Sequence, residues 1–354
     1  MSANQLASEP SFTTDSNLDL EADVLVIGGG PAGAWAAYNA AASGARVILV
    51  DKGYCGSSGA TASGGTSVWY VGNPEQRETA MASREALGGF LSERDWMERV
   101  LDLTHANLHQ LGNWGYPFPS DQQGQPYYRS LQQGAEYMRL MRKQIKKAGV
   151  QILDHSPALE LLVDQTGAVA GAKGIRRQAG GRWTVRAGAV VIATGGCAFL
   201  SKALGCNVLT GDGYLMAAEA GAEISSESSH TFNPQEVIQA TQAEVLPYNR
   251  NLFRTEQGLS DSLERLHSLW REIRHSAAPT DSQTLAAREA AAMVATARWM
   301  YTSAQARTET RGMHKHQDYP QQDANQQYRL ISGGLDKVWA KPEQEIVNKE
   351  LVAL

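Results

Sequence analysis

Asp23-Val24-Leu25-Val26-Ile27-Gly28-Gly29-Gly30-Pro31-Ala32-Gly33 decides the reading of this 354-residue chain. Asp23 to Ile27 is a short apolar run rich in β-branched residues, the pattern of a central parallel strand buried on both faces. A glycine turn follows, and Gly28-x-Gly30-x-x-Gly33 opens an alanine-rich segment, Ala34 to Ser43, predicted helical and stopped by Gly44. Arg46 to Val50 reads as a second strand with Asp51 at its carboxyl end. Each part suits a dinucleotide. Gly28 permits the tight turn, Gly30 lets the backbone approach a pyrophosphate, Gly33 lets helix and strand pack closely, and free N–H groups at the helix start face the phosphates. Asp51 can accept from ribose hydroxyls, and an acid there argues against a 2′-phosphate.

Just beyond lies Cys55-Gly56-Ser57-Ser58-Gly59-Ala60-Thr61-Ala62-Ser63-Gly64-Gly65-Thr66, a run of tiny residues. Such a run can wrap its N–H groups round an anion or lie flat against a planar ring. A flexible linker has the same composition, but the run sits at the carboxyl edge of a strand, where ligands of open α/β sheets bind, which favours a cofactor loop.

Composition narrows the class. The formal net charge of −5 gives no electrostatic reason to expect nucleic acid. Three cysteines, Cys55, Cys197 and Cys206, include no C-x-x-C pair, which suits a reducing cytoplasm and supplies no metal or iron–sulfur ligand set. No run reaches the ~18 apolar residues of a membrane span, and the polar first 20 residues read as a disordered lead. The length suggests two structural units.

Further along, Pro74 to Gly112 is largely helical by pattern, with Met97, Leu101, Leu108 and Leu111 on one face, and Trp114 to Pro119 is an aromatic turn. His105 and His109 stand at i, i+4 but lack the glutamate and third ligand of a zinc motif, so an ordinary helix face is expected. Ala135 to Ala148 is predicted helical, its basic end complementing the helix dipole. Val150 to Asp154 returns as a strand. Ala158 to Val185 reads as an antiparallel meander, feeding a buried strand from Gly188 to Ile192 that ends in Ala193-Thr194-Gly195-Gly196.

Together, Val24 to Asp51, the loop from Ser57 to Thr66, the meander and Ala193 to Gly196 resemble the FAD-binding domain of the fumarate reductase and succinate dehydrogenase flavoproteins, a family that includes L-aspartate oxidase. Thr210-Gly211-Asp212-Gly213 with Met216-Ala217-Ala218 and Ala220-Gly221-Ala222 resembles the next family motif. Arg307-Thr308-Glu309-Thr310-Arg311-Gly312-Met313-His314 with Asp318-Tyr319-Pro320 resembles its helical C-terminal domain. The resemblance implies an α/β fold: a Rossmann-like FAD-binding domain at 21–234 with an inserted meander, then an α-helical domain at 235–354. It implies cofactor contacts at Gly28, Gly30, Ala32, Gly33, Asp51, Lys52, Ser58, Thr61, Gly64, Gly65, Ala158, Ala193, Thr194, Gly195 and Asp212.

Two departures accompany the resemblance. The family's capping domain and its late cofactor segment, resembling Gly-Leu-Tyr-Ala-Ala-Gly-Glu, are not found between the glycine-rich helix and the C-terminal helices. Asn233-Pro234 stands where fumarate reductases carry a His-Pro pair that contacts the dicarboxylate, and Ser58 stands where respiratory members carry the histidine that links covalently to flavin. FAD is therefore expected to be held non-covalently. The family also implies a small carboxylic acid substrate and a separate iron–sulfur electron-transfer protein. Arg254, Arg307, Arg311 and His314 could face a substrate anion, but ion pairs within a helical domain are the simpler account, and no catalytic residue is assigned. Two readings stay open: an FAD-dependent oxidoreductase, or a non-catalytic flavin-binding protein without a closed substrate site.

Overall fold

The computed structural model describes residues 17–64, 66–128, 130–131, 133–220, 231–274, 276 and 280–346. The lead up to residue 16 and the stretch 221–230, which holds Gly221, Ala222 and His230, lie outside the described residues.

The chain begins with β1 (Leu18–Ile27), α1 (Pro31–Ala42), β2 (Val47–Val50), a short α2 (Ala60–Ser63) and β3 (Thr66–Ser67). Helices α3 (Arg77–Leu87) and α4 (Arg94–Asn113), β4 (Ser130–Leu131) and α5 (Gly134–Lys147) come next. The strands β5 (Gln151–Leu153), β6 (Ala158–Val163), β7 (Val169–Ile175) and β8 (Arg182–Ile192) complete the first half. After α6 (Asp212–Ala220) come α7 (Pro234–Val245), α8 (Tyr248–Asn251), β9 (Phe253–Arg254), α9 (Glu256–Ile273) and α10 (Thr284–Ala306). Last are β10 (Lys315–His316), β11 (Leu330–Gly333) and β12 (Trp339–Pro342).

One six-stranded sheet carries the first half, in the order β5-β2-β1-β8-β7-β6. The first four strands are mutually parallel and the last three pair antiparallel. From β1 the chain crosses to β2 on one side, while β8 lies on the other. Their shared carboxyl ends are thus the switch point at which open α/β sheets bind ligands.

Several sequence expectations need adjusting. The first strand starts at Leu18 rather than Asp23, because residues 18–20, assigned to the lead, pair with Trp183 to Val185. The meander's third strand and the strand from Gly188 are one element: β8 pairs with β7 through Arg186 and with β1 through Ile192. Its last half is not buried as expected. Gly188 and Ala189 are exposed and Ile192 is 39% exposed, since among the described residues no strand pairs with β8 beyond Arg186 on the side away from β1. The C-terminal unit also contains an antiparallel hairpin, β11–β12, absent from an all-helical expectation.

Packing follows from two amphipathic helices, α4 and α5, on one face of the sheet. The expected α4 face (Met97, Leu101, Leu108, Leu111) is buried, and α5 buries Met138, Met141 and Ile145 against Val26, Leu49 and α1. At ~1.5–3 kcal/mol for each fully buried large side chain, this layer is a major contribution to the stability of the first half. The opposite face of the sheet buries Leu25, Ile48, Val185 and Trp183 together with Leu161, Ala172 and Met216 of α6. The helical unit centres on α10, whose stripe of Val294, Ala297, Tyr301 and Ala304 is buried as its spacing predicts. Trp183 is fully buried, and a Cβ at Gly174 would come within 2.7 Å of its ring. Trp183→Ala is therefore expected to cost ~3–5 kcal/mol in urea unfolding with an unchanged slope; a loss below ~1 kcal/mol would show that the meander is not anchored there.

Candidate cofactor site

The site grows from three backbone turns at the carboxyl ends of β1, β2 and β8. Gly28 adopts φ 108°, and a Cβ there would lie 2.3 Å from the Ala193 carbonyl oxygen, so only glycine lets the β1 turn close on the end of β8. Gly33 lies behind this turn, where a Cβ would sit 1.8 Å from the Gly28 carbonyl oxygen. At Gly30 a Cβ would meet nothing within 4 Å and would point into open space. Gly30 is also the N-cap of α1, no side chain caps the helix, and Pro31 occupies its first turn. The free N–H groups and positive dipole end of α1 therefore face the opening that Gly30 leaves clear.

Asp51 holds the turns together. It is 8% exposed and accepts from Gly29 N (2.6 Å), Gly53 N (2.7 Å) and Ser58 Oγ (2.9 Å). One carboxylate thus joins the β1 turn, the β2 turn and the tiny-residue loop. Gly29 is forced by the same packing, since a Cβ there would lie 2.7 Å from Asp51 Oδ2 and 2.8 Å from Cys55 Sγ. Cys55 is structural: burial, with the Asp51 charge added, pushes its thiol up to about 12. Burial likewise raises Cys197 to about 11, so neither thiol forms a thiolate near neutral pH.

Gly28, Gly30, Ala32, Asp51, Lys52, Ser58, Thr61, Ala158, Ala193, Thr194, Gly195 and Asp212, all predicted from sequence, line one cleft of about 270 Å³. Gly33 supports the turn from behind, Gly64 lies off the lining, and Gly65 is outside the described residues. Sequence reasoning missed the apolar walls: Met138 from α5, Pro157, and Val208 and Leu209 from the loop before α6. Met138 was readable as part of an apolar stripe, but nothing in the stripe says which member reaches a ligand cleft. Apolar walls with a few convergent polar groups are the make-up of a small-molecule site.

Lys52 lines the cleft, yet its ammonium is fully engaged. Nζ donates to Thr210 Oγ1 (2.6 Å), Asp212 Oδ2 (2.6 Å) and Glu289 Oε1 (2.8 Å). With three protons and three acceptors, it ties β2 to α6 and to α10.

The polar residues weighed as substrate contacts lie elsewhere. Arg307 and Arg311 both pair with Glu309, which is 0% exposed, and Arg311 reaches Gly89 O at 2.5 Å. Arg254 donates to His314 Nδ1 at 2.6 Å, leaving Nε2 to carry the proton and donate to Arg307 O at 3.0 Å. None of these lines the cleft. Asn233 is the N-cap of α7, accepting from Gln235 N and donating to Glu236 Oε1. The Asn-Pro-x-Glu spacing, a capping signal, announces that role. His105 and His109 join a ring stack with Tyr70 and Tyr128.

The profile of the FAD binding domain family matches residues 23–259. The chain belongs to that family. FAD is its cofactor, and the cradle described above fits that group, since the one position facing the helix start without a side chain, Gly30, opens into the cleft. The profile described as fumarate reductase flavoprotein C-term matches residues 242–343, overlapping the first. The overlap leaves no residues between the two matches for the capping domain that the resemblance would place there. Among curated relatives, L-aspartate oxidase of Streptomyces coelicolor is 27% identical over 64% of this chain and 42% of its own length. The fumarate reductase flavoprotein of Mycobacterium tuberculosis is 28% identical over 60% of this chain and 39% of its own length. The chain thus spans about two-fifths of the length of the curated relatives it matches. Among solved structures, Escherichia coli quinol fumarate reductase superposes with TM-score 0.78 at 14% identity, over 92% of this chain and 97% of that one. Adenylylsulfate reductase from Archaeoglobus fulgidus gives 0.77 at 14%, over 92% and 96%. At such identities these likenesses establish the fold.

A pH prediction follows from the Arg254–His314 pair. Burial first, and the Arg254 guanidinium second, hold His314 at about 4, against an ordinary value of 6.5. Between those values the unfolded chain binds the additional proton, so stability is full above pH 6.5 and falls as pH drops towards 4. His316, also held low by burial, adds in the same direction. In His314→Gln the fall in melting temperature over this window is expected to be smaller than in the wild type, measured by calorimetry; an equal fall would remove His314 from the account.

Proposed function

We propose that this chain is an FAD-dependent oxidoreductase of the fumarate reductase and succinate dehydrogenase type, holding FAD non-covalently and acting on a small carboxylic acid. The observation that carries the reading is the uncapped start of α1 facing a cleft that Gly30 leaves open, with Asp51 fixing both flanking turns. When bound, FAD supplies hydride transfer at its ring. The chain's own contribution is binding and orientation. The α1 N–H groups and the Ala193–Gly195 turn would hold the phosphates and ring, and Met138, Val208 and Leu209 would keep water from them. Asp51 keeps acceptor capacity towards the cleft for the ribose, while Lys52 supports the site from its tie to α10. Twelve of the residues named from sequence fit this role through their place in the lining, with Gly33 behind them.

Non-covalent attachment is supported by Ser58, whose hydroxyl is spent on Asp51 and offers no ring nitrogen to the flavin. A separate iron–sulfur protein as electron partner and a cytoplasmic site of action belong to the same proposal. Among the described residues no helix is long and apolar enough to cross a membrane. The boundary near residue 234 belongs to the same proposal: α7, α9 and α10 share one core, which Leu215 of α6 and Phe232 also enter from before it.

Two experiments test the proposal. Gly30→Val fills the opening at the helix start, and the variant is expected to fold, with unchanged circular dichroism, while losing bound flavin on purification. Full flavin content in that variant would reduce the motif to a structural turn. Flavin in the wild type, reduced anaerobically, is expected to be reoxidised on adding fumarate or a related unsaturated acid; flavin that stays reduced with every such acid would favour the non-catalytic reading.

A further inference from the structure

A second feature lies on the outer side of the Gly53–Ser58 loop whose inner side Asp51 holds. Tyr54 is 43% exposed and stands between two open surface clefts of about 500 and 560 Å³, with Ser57 also common to both. One cleft is flanked by His155 and Arg177, the other by Arg139, Lys143 and Lys146 of α5. Lys143, Lys146 and Arg177 are exposed, and among the described residues none has an acidic partner. The two carboxylates nearby are committed: Glu136 pairs with Arg139, and Asp154 takes Arg142 at 2.7 and 2.8 Å together with Cys55 N. Lys143, Lys146 and Arg177 are therefore uncompensated positive charge on a chain whose net charge is −5.

Complementing a helix dipole accounts for Lys146 and Lys147 in the last turn of α5, but not for Lys143, a turn earlier, or for Arg177, which is on no helix. Arg139, Lys143 and Lys146 share one helix face at i, i+4 and i+7, where like charges repel, and among the described residues no ion pair offsets this at Lys143. The centre is rigid by contrast. The Arg142 guanidinium, fixed by Asp154, lies 4.0 Å from the Tyr54 ring centroid. His155, held at a left-handed φ of 51°, accepts Arg177 N at its carbonyl and so anchors the opposite wall.

We propose that this face docks an acidic segment of a partner protein. A tyrosine held against a fixed guanidinium and flanked by exposed cations is the arrangement of an interface anchor with a steering rim. A nucleic acid fits less well. Arg142 already covers one face of Tyr54, which limits base stacking, and the net negative chain opposes a long polyanion.

The test is fluorescence anisotropy on the full chain with a fluorescein-labelled twelve-residue peptide of alternating Glu and Gly carrying one central Trp. Saturable binding is expected, weakening when salt is raised from 20 to 200 mM. Lys143→Glu with Lys146→Glu, and separately Arg177→Glu, are expected to weaken it about tenfold or more. Tyr54→Ala is expected to lower affinity while preserving the salt dependence. Reversing Lys315 and Lys337, exposed lysines elsewhere, is expected to change nothing. The proposal is overturned by absent or unsaturable binding, or by a control reversal as damaging as the patch reversals. It is equally overturned if a labelled single-stranded DNA of the same length binds more tightly, or if 10 mM inorganic phosphate displaces the peptide completely.

Discussion

A buried carboxylate with three donors on it is the interaction on which the site depends. Asp51 closes β2, and its two oxygens draw together the backbone of the β1 turn, the backbone of its own turn and the hydroxyl of Ser58. Hydrogen bonds to a charged acceptor are about twice as strong as neutral ones, and a buried charge left without them is costly. The glycines follow from that constraint rather than preceding it. Gly29 is glycine because Asp51 and Cys55 occupy the place of its side chain, and Gly28 because Ala193 does. Of the three glycines in the turn, only Gly30 has no protein atom where a side chain would stand, so the space at the start of α1 is open to a ligand.

The second tie works at longer range. Lys52 follows Asp51 directly but turns its ammonium away to acceptors on α6 and α10, the last of them 237 residues along the chain. The cleft wall and the helical unit are thereby joined through a nearly buried cluster with two carboxylates on one cation. Breaking one partner of such a cluster costs more than an exposed pair is worth, because the remaining charges stay desolvated.

How much of this was legible in the sequence differs by element. The βαβ unit was, because its glycines stand at steric necessities and its acid at a strand end, all within a few turns of chain. The packing stripes of α4 and α10 were legible for the same local reason. The Lys52–Glu289 tie was not, since nothing local marks a pair so far apart. The resemblance names Lys52 only as a cofactor contact, and it does line the cleft while its ammonium serves the tie. The exposed half of β8 reads as apolar because Ala189 to Ile192 are apolar; only its neighbours decide that the outer edge is open. Arg254, Arg307, Arg311 and His314 could by type face an anion, but ion pairs within the helical domain are the simpler reading, and the structure pairs Arg307 and Arg311 with Glu309 and Arg254 with His314. Asn233 stands where the family has a histidine, yet its own spacing to Pro234 and Glu236 describes a helix cap, the role it has in the structure.

Fold, glycine cradle and family membership all support the proposal that the cleft, open at Gly30 and braced at Asp51 and Lys52, takes the phosphates and ribose of FAD. The most direct test is an equilibrium titration of the flavin-stripped chain with FAD, followed by flavin fluorescence in the presence and absence of excess NAD. The account predicts saturation at a single equivalent of FAD that NAD does not displace. A titration without saturation, or displacement by NAD at comparable concentration, would contradict it.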